Sequence, residues 1–128
     1  MKKKTERQKV KDKLDSEFSL FIRRRDNFTC VTCGLKGSEG DGVMQAGHLF
    51  SRSNMAGRYS ETNTNCQCRG CNMRHEYDFE PYRKWFVHKH GQNVYDWLYL
   101  LWNRTTKMGI GELKSLLEYY HEKNKEKK

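Results

Sequence analysis

The sequence predicts an α+β protein with an N-terminal helix, a small centre that carries two cysteine pairs, and a C-terminal bundle of helices. Apolar residues recur at helical spacing near both ends, and the middle combines a short apolar segment with glycine-rich turns. The length of 128 residues fits one domain. Hydrophobic residues make up only 35% of the chain and the mean hydropathy is −1.05, so the core needs a staple such as a disulfide or a metal.

The first 13 residues are expected to form a flexible basic arm. They hold seven basic and two acidic side chains, and Val10 is the one apolar residue after the initial Met. Four apolar residues then follow the i, i+4, i+7, i+8 spacing of an amphipathic helix: Leu14, Phe18, Phe21 and Ile22. That helix should end near Asp26. Residues 14–128 are expected to form the single folded domain.

One short strand and one short helix are expected in the middle of the chain. The apolar segment 43–50 is the strand candidate, with a glycine-rich loop at 37–42 before it and a polar loop at 51–57 after it. Residues 63–67 should lead into the short helix, which carries the second cysteine pair.

Helices are expected again between 78 and 123 and should pack as a small bundle. Glycines at 91 and around 108–111 separate three segments with helical spacing. Five large aromatic residues are interpreted as core rather than as a platform for base stacking: Tyr82, Trp85, Phe86, Trp97 and Trp102. Three histidines lie on charged stretches and should be exposed: His88, His90 and His121.

The net charge of +9 and the pI near 9.4 favour a polyanionic partner, although the N-terminal arm carries part of the excess. The longest apolar run, 97–102, is far too short to span a membrane. No apolar segment follows the lysines at 2–4, so we expect no secretory signal and a place in the reducing cytoplasm. There, paired cysteines hold metal more often than they form disulfides.

Two cysteine pairs have a two-residue gap: Cys30 with Cys33, and Cys68 with Cys71. This gap lets both thiolates of a pair face one ion, and Zn²⁺ accepts four thiolates in a tetrahedron. Because such a shell leaves no position for water, the predicted zinc is structural. The single residue between Cys66 and Cys68 breaks this spacing, so Cys66 should be a small buried residue, with replacement of Cys68 as a ligand the alternative.

Between the cysteine pairs lie Ala46-Gly47-His48-Leu49-Phe50 and Asn63, and Asn72 follows the last cysteine directly. This order of His, Asn and Asn resembles the HNH (His-Me finger) endonucleases, and its placement on a zinc-held frame resembles the endonuclease VII group. The resemblance implies a ββα-metal core, in which a hairpin packs against a helix, and a DNA endonuclease activity.

A closer resemblance covers nearly the whole chain beyond the arm. It rests on Phe18-Ser19-Leu20-Phe21-Ile22-Arg23, Cys30-Val31-Thr32-Cys33-Gly34, Gln45-Ala46-Gly47-His48, Arg58-Tyr59, Asn63 and Gln67-Cys68-x-x-Cys71-Asn72. Together these segments resemble the phage NinG (Rap) recombination proteins. The resemblance implies a structure-specific endonuclease that acts on branched recombination intermediates in the host cytoplasm, and it permits a homodimer.

Hydrolysis of a phosphodiester needs a deprotonated water and positive charge where negative charge develops. His48 is the predicted general base, since imidazole titrates near neutral pH and the family motif has its base here. Asn72 would present its amide oxygen to a catalytic Mg²⁺ or Mn²⁺. Asn63 would orient His48 through hydrogen bonds to the hairpin loop. The zinc frame should bring His48 and Asn72 side by side.

Gly47 departs from the HNH pattern, because many of these enzymes have a metal-ligating Asp or His immediately before the base. His75 and Glu76 share a helical face with Asn72, so either could complete the metal site, with Glu76 preferred; Asp41 is another candidate. The missing ligand keeps open a zinc-stapled module that binds DNA without cutting it. A domain that recruits a replication or recombination partner is a third hypothesis.

Four arginines flank the motif and are expected to contact DNA phosphates: Arg52, Arg58, Arg69 and Arg74. Each site residue also has a structural interpretation. His48 could be a hydrogen-bonded structural histidine, Asn63 and Asn72 could be turn and cap residues, and scattered arginines are commonly solvated.

Overall fold

The computed structural model describes residues 2–126 and contains, within them, six helices and a two-stranded sheet. The helices are α1 (Glu6–Arg25), α2 (Met55–Arg58), α3 (Arg69–Arg74), α4 (Glu80–His90), α5 (Gln92–Trp102) and α6 (Ile110–Lys125). The strands are β1 (Met44–His48) and β2 (Thr64–Cys68). The predicted α+β class is confirmed, as are the strand within 43–50 and the helix break at 91. The second break, predicted at 108–111, spans 103–109, because α6 already begins at Ile110. None of the described helices is long and apolar enough to cross a membrane.

β1 and β2 form an antiparallel hairpin in which Met44 pairs with Cys68 and His48 pairs with Thr64. Directly paired residues share a face of the hairpin, and successive residues alternate between the faces. The sulfur face carries Met44, Ala46, His48, Thr64, Cys66 and Cys68. The amide face carries Gln45, Gly47, Asn65 and Gln67. β2 runs directly into α3, whose N-cap is Cys68.

The loop after β1 is anchored on α4 and α5. One buried apolar cluster joins the three elements: Leu49, Phe50, Tyr82, Phe86 and Leu98. Gly91 links the two helices with a positive φ of 93°, a left-handed conformation that favours glycine. The residues that directly follow His48 are therefore fixed by helices that lie more than 30 positions further along the chain.

The chain divides into two compact units. The helical unit combines the chain up to Phe21 with the chain from Lys107 onward; in it the Phe18 and Tyr120 rings are 5.1 Å apart between centroids. The hairpin unit is Ile22–Thr106 and contains the hairpin, α2 to α5 and all five cysteines. The expectation of a single domain over 14–128 stays a prediction.

The start of α1 corrects the expected basic arm. The helix begins at Glu6, not near Leu14, because the Thr5 hydroxyl caps it by accepting the Gln8 N–H at 3.1 Å. Val10 is buried as part of this helix. The Thr5-x-x-Gln8 spacing of a helix start was therefore the relevant signal, and the charge of the segment was misleading.

The C-terminal helices also differ from expectation. α6 belongs to the same unit as α1, so residues 78–123 do not form one bundle. Trp97, expected in the core, is 53% exposed, whereas Tyr82 and Phe86 are buried. His88 and His121 are exposed as expected, but His90 is half-buried against the Phe86 ring at 4.5 Å. The loop expected at 51–57 contains most of α2.

Candidate functional site

The two cysteine pairs meet as one cluster. The Sγ atoms of Cys30, Cys33, Cys68 and Cys71 all lie within 4.8 Å of one another, and those of Cys33 and Cys68 are 3.8 Å apart. A tetrahedral zinc with Zn–S bonds of about 2.3 Å requires sulfur separations of about 3.8 Å. The residues therefore fit a structural zinc ion, and the prediction that these four cysteines could hold one is supported.

In each cysteine pair, a backbone N–H of the second cysteine points to the sulfur of the first, which favours the thiolate that binds a metal. The Cys33 N–H points to the Cys30 Sγ at 3.5 Å, and the Cys71 N–H points to the Cys68 Sγ at 3.4 Å. Burial raises the pKa of the Cys30 thiol, but hydrogen bonds from the backbone of Cys33, Cys68 and Thr32 outweigh burial and bring it down to about 7. Gly34, with φ of 80°, closes the first turn by donating its N–H to the Cys30 carbonyl at 2.9 Å.

Cys66 lies outside this cluster and is fully buried on the sulfur face, as expected. Burial, together with the nearby Asp26 carboxylate, raises the pKa of its thiol to about 12. Its backbone N–H donates to that carboxylate at 2.8 Å. Cys66 is therefore a neutral packing residue, and the cluster uses Cys68.

His48 ends β1 and is half-buried. Its Nε2 lies 2.8 Å from the backbone carbonyl oxygen of Arg58, the last residue of α2. Because a carbonyl can only accept, Nε2 carries the hydrogen of the neutral ring, and the lone pair is on Nδ1. This tautomer is the one in which Nδ1 can take a proton.

Asn63 ties together the loop between the strands. Its side chain is fully buried, accepts the Phe50 N–H at 2.9 Å, and donates to the carbonyls of Phe50 at 2.8 Å and Gly57 at 3.1 Å. Its own carbonyl accepts the Leu49 N–H at 2.8 Å. Such bonds are expected for a residue that holds the hairpin loop. They fix the backbone at Leu49, beside His48, and at Gly57, beside the Arg58 carbonyl that His48 contacts.

Asn72 lies in α3 against the amide face. Its Nδ2 donates to the Gln45 Oε1 at 2.8 Å. Strand alternation places His48 on the sulfur face, and Gln45 is three residues away from it along β1. The structure therefore places His48 and Asn72 against opposite faces of the hairpin, and not side by side as expected.

The three candidates for an additional metal ligand differ in their surroundings. His75 is half-buried, and its Nε2 lies 2.7 Å from the Leu49 carbonyl oxygen. Glu76 is exposed. Both carboxylate oxygens of Asp41 accept backbone N–H groups of its own loop, from Ser38 at 2.6 Å and Val43 at 2.9 Å. Of the three, His75 lies against the end of β1.

The sequence matches the family model described as Bacteriophage Lambda NinG protein over residues 1–128. The chain belongs to the NinG family. No curated protein and no solved structure matches this NinG sequence significantly. Family membership therefore rests on the whole length of the sequence, and the roles of its residues rest on their chemistry and geometry.

One buried hydrogen-bond chain of this NinG protein was not expected from the sequence. The Tyr82 hydroxyl donates to the Gly47 carbonyl at 2.7 Å and accepts from the Asn65 Nδ2 at 3.0 Å, while the Asn65 Oδ1 accepts from Arg25 at 2.9 Å. Tyr82 was interpreted only as part of an apolar stripe. The polar run Asn63 to Gln67, buried throughout, was the signal that this strand has hydrogen-bond partners on both faces.

The four flanking arginines have different environments. Arg52 and Arg69 are exposed. Arg74 is exposed but pairs with Asp78 at 3.1 Å, and the Arg58 guanidinium lies 5.8 Å from the centroid of the Tyr59 ring. Arg52 and Arg69 are therefore the two best placed to contact a polyanion.

Proposed function

We propose that this NinG protein is a metal-dependent DNA endonuclease of the HNH type, with a ββα-metal core, that acts on branched recombination intermediates in the host cytoplasm. Membership of a phage family and the four-cysteine cluster that fits zinc support the proposal. So does the order of β1, β2 and α3, a hairpin that runs directly into a helix. The net charge of +9 suits a DNA substrate.

The contact between His48 and the Arg58 carbonyl carries this proposal. The carbonyl fixes the tautomer and stabilises the positive ring that forms once Nδ1 has taken a proton. A water molecule that gives its proton to Nδ1 can attack the phosphorus. The bond from phosphorus to the leaving oxygen then breaks, and the leaving oxygen keeps the electron pair and takes a proton from solvent water. Asn63 is a positioning residue in this scheme, because its side chain holds the loop that supplies the carbonyl.

A divalent cation, Mg²⁺ or Mn²⁺, would supply positive charge beside the phosphate. Asn72 offers an amide oxygen for it, and the neighbouring candidates are His75 and Glu76. The exposed side chains of Arg52 and Arg69 would contact the DNA backbone, with Arg58 and Arg74 nearby. A homodimer would place two such sites so that both strands of a junction could be cut.

The direct test compares branched with linear DNA in Mg²⁺, in Mn²⁺ and with no added divalent cation, with the zinc-loaded protein. We expect nicking of branched DNA with either cation and none without one. Equal cutting of both substrates would contradict the preference for branched DNA. Intact DNA under every condition would contradict the nuclease itself.

A zinc-stapled DNA-binding module without catalysis is the second candidate. Two observations favour it: Gly47 has no side chain to bind a metal, and Asn72 and His48 lie against opposite faces of the hairpin. This candidate predicts DNA binding that weakens steeply as salt rises, with no cleavage in any metal. A titration of DNA binding against salt, run beside the cleavage panel, separates the two candidates.

A further inference from the structure

Gln67 carries a buried oxygen without a partner. The residue is fully buried on the amide face, and its Nε2 donates to the Thr32 hydroxyl at 2.8 Å. Its Oε1 has no hydrogen-bond partner. A buried amide oxygen left in this state is unfavourable, because it has lost its hydrogen bonds to water and gained none from the protein. Such a group calls for a donor or a cation that the described chain does not supply.

Gly47 makes the space for this oxygen. A Cβ atom at position 47 would overlap the Gln67 Oε1. The carboxamide of Gln67 therefore occupies the place that any side chain at position 47 would take. Position 47 is also the position where many HNH enzymes have a metal-ligating Asp or His, which this chain lacks.

His75 supplies a second buried acceptor. Because its Nε2 faces the Leu49 carbonyl, the lone pair of the neutral ring is on Nδ1, and Nδ1 is buried without a partner. Gln67 and His75 both line one small cavity beneath α3 and α4, together with Thr32, Cys71, Asp78 and Tyr82 among others. The cavity volume is about 10 Å³, which is enough for one small ion or one water molecule.

We infer that the Gln67 Oε1 and the His75 Nδ1 are two ligands of the divalent cation, with Gln67 taking the place of the missing side chain at 47. An amide oxygen and an imidazole nitrogen suit Mn²⁺ or a similar transition metal. The site would adjoin Gly47 and Leu49, the two neighbours of His48, whereas the Asn72 contact with Gln45 lies three residues from His48. The inference rests on the proposed function and names the ligands of that site.

The test measures Mn²⁺ binding without DNA, on protein whose zinc content has been verified. Gln67→Leu should weaken Mn²⁺ binding about tenfold or more, since even residues behind the ligands commonly contribute that much. Gln67→Glu should bind Mn²⁺ more tightly than wild type, and Mn²⁺ should raise its melting temperature more. Gln92→Glu adds the same charge at the exposed start of α5 and should change neither quantity.

A buried water that donates to both acceptors is the competing occupant. In that case Gln67→Glu would lower the melting temperature equally with and without Mn²⁺, and Gln67→Leu would leave Mn²⁺ binding unchanged; either result overturns the inference. Should Gln67→Leu fail to fold, paramagnetic broadening in wild type decides. Substoichiometric Mn²⁺ should first broaden the side-chain NMR signals of Gln67 and His75, and broadening elsewhere first would overturn the site.

The metal site and the proposed nuclease activity can be contradicted independently of each other. Mn²⁺ bound at Gln67 with no DNA cleavage would support the metal site and contradict the nuclease. Cleavage by Gln67→Leu with the Mn²⁺ dependence of wild type would contradict the metal site and leave the nuclease standing.

Discussion

The helical unit and the hairpin unit are stabilised in different ways. Buried residues of the helical unit are Val10, Leu14, Phe18, Leu113 and Tyr120, which pack through apolar and aromatic contacts. All four buried polar residues of the described chain, Asn63, Thr64, Asn65 and Gln67, lie in the hairpin unit, beside the cysteine cluster. Apolar packing tolerates substitution of similar volume, whereas a buried polar network fixes one arrangement. The hairpin unit, unlike the helical unit, therefore depends on one fixed arrangement of its buried polar groups.

Loss of zinc should produce the largest difference between the two units, because it should unfold the hairpin unit and leave the helical unit folded. Structural zinc contributes on the order of 10 kcal/mol in small domains, comparable with their whole stability. Chelation, or Cys68→Ala, should therefore abolish the dispersed NMR signals of β2 while the ring signals of Phe18 and Tyr120 stay dispersed. Cys66→Ala is the matched control: it should keep one zinc per chain by elemental analysis. A hairpin that stays ordered without zinc would show that the hairpin unit does not depend on the cysteine cluster.

Asn63→Ala should have the next largest effect. It removes three hydrogen bonds to loop backbone and leaves buried groups unpaired, at a cost of about 3 kcal/mol or more. Denaturant unfolding measures this cost. Asn103→Ala, at an exposed position, should stay within about 0.5 kcal/mol of wild type. Equal stability of the two variants would mean that the loop bonds contribute nothing.

Alanine in place of glycine should have opposite effects in the two units. Gly47→Ala puts a Cβ on the buried Gln67 oxygen and should cost about 1–3 kcal/mol. Gly111→Ala lies in α6, where a Cβ would meet nothing within 4 Å, and should stabilise by about 0.5–1 kcal/mol. Thermal unfolding of both variants checks the signs. A neutral Gly47→Ala would show that Gln67 moves away at little cost.

Local spacing was enough to predict several features of the molecule. The two-residue gaps identified the four clustered cysteines, the apolar spacing identified α1 from Leu14 onward, and glycine marked the break between α4 and α5. These features depend on neighbours within a few positions. The hydrogen bonds that Asn63 makes with the loop were anticipated from the family resemblance.

The remaining features depend on contacts between distant parts of the chain. The Tyr82 hydroxyl meets the Gly47 carbonyl 35 positions earlier, and no local spacing shows this. The oxygen of Gln67 lies at Gly47 because the two strands pair in one register, so the meaning of that glycine follows only from the register. The pairing of α6 with α1 joins the two ends of the chain, and the apolar stripe of α6 does not identify its partner.

The role of His48 can be measured as the rate of single-turnover nicking of branched DNA in Mn²⁺. His48→Ala is compared with His88→Ala, a control at an exposed histidine. General bases typically contribute 10²- to 10⁴-fold, so His48→Ala should be slower by about 100-fold or more, with its zinc content unchanged. His88→Ala should cut at the wild-type rate. Cleavage by His48→Ala at the rate of His88→Ala would contradict the assignment of His48 as the base.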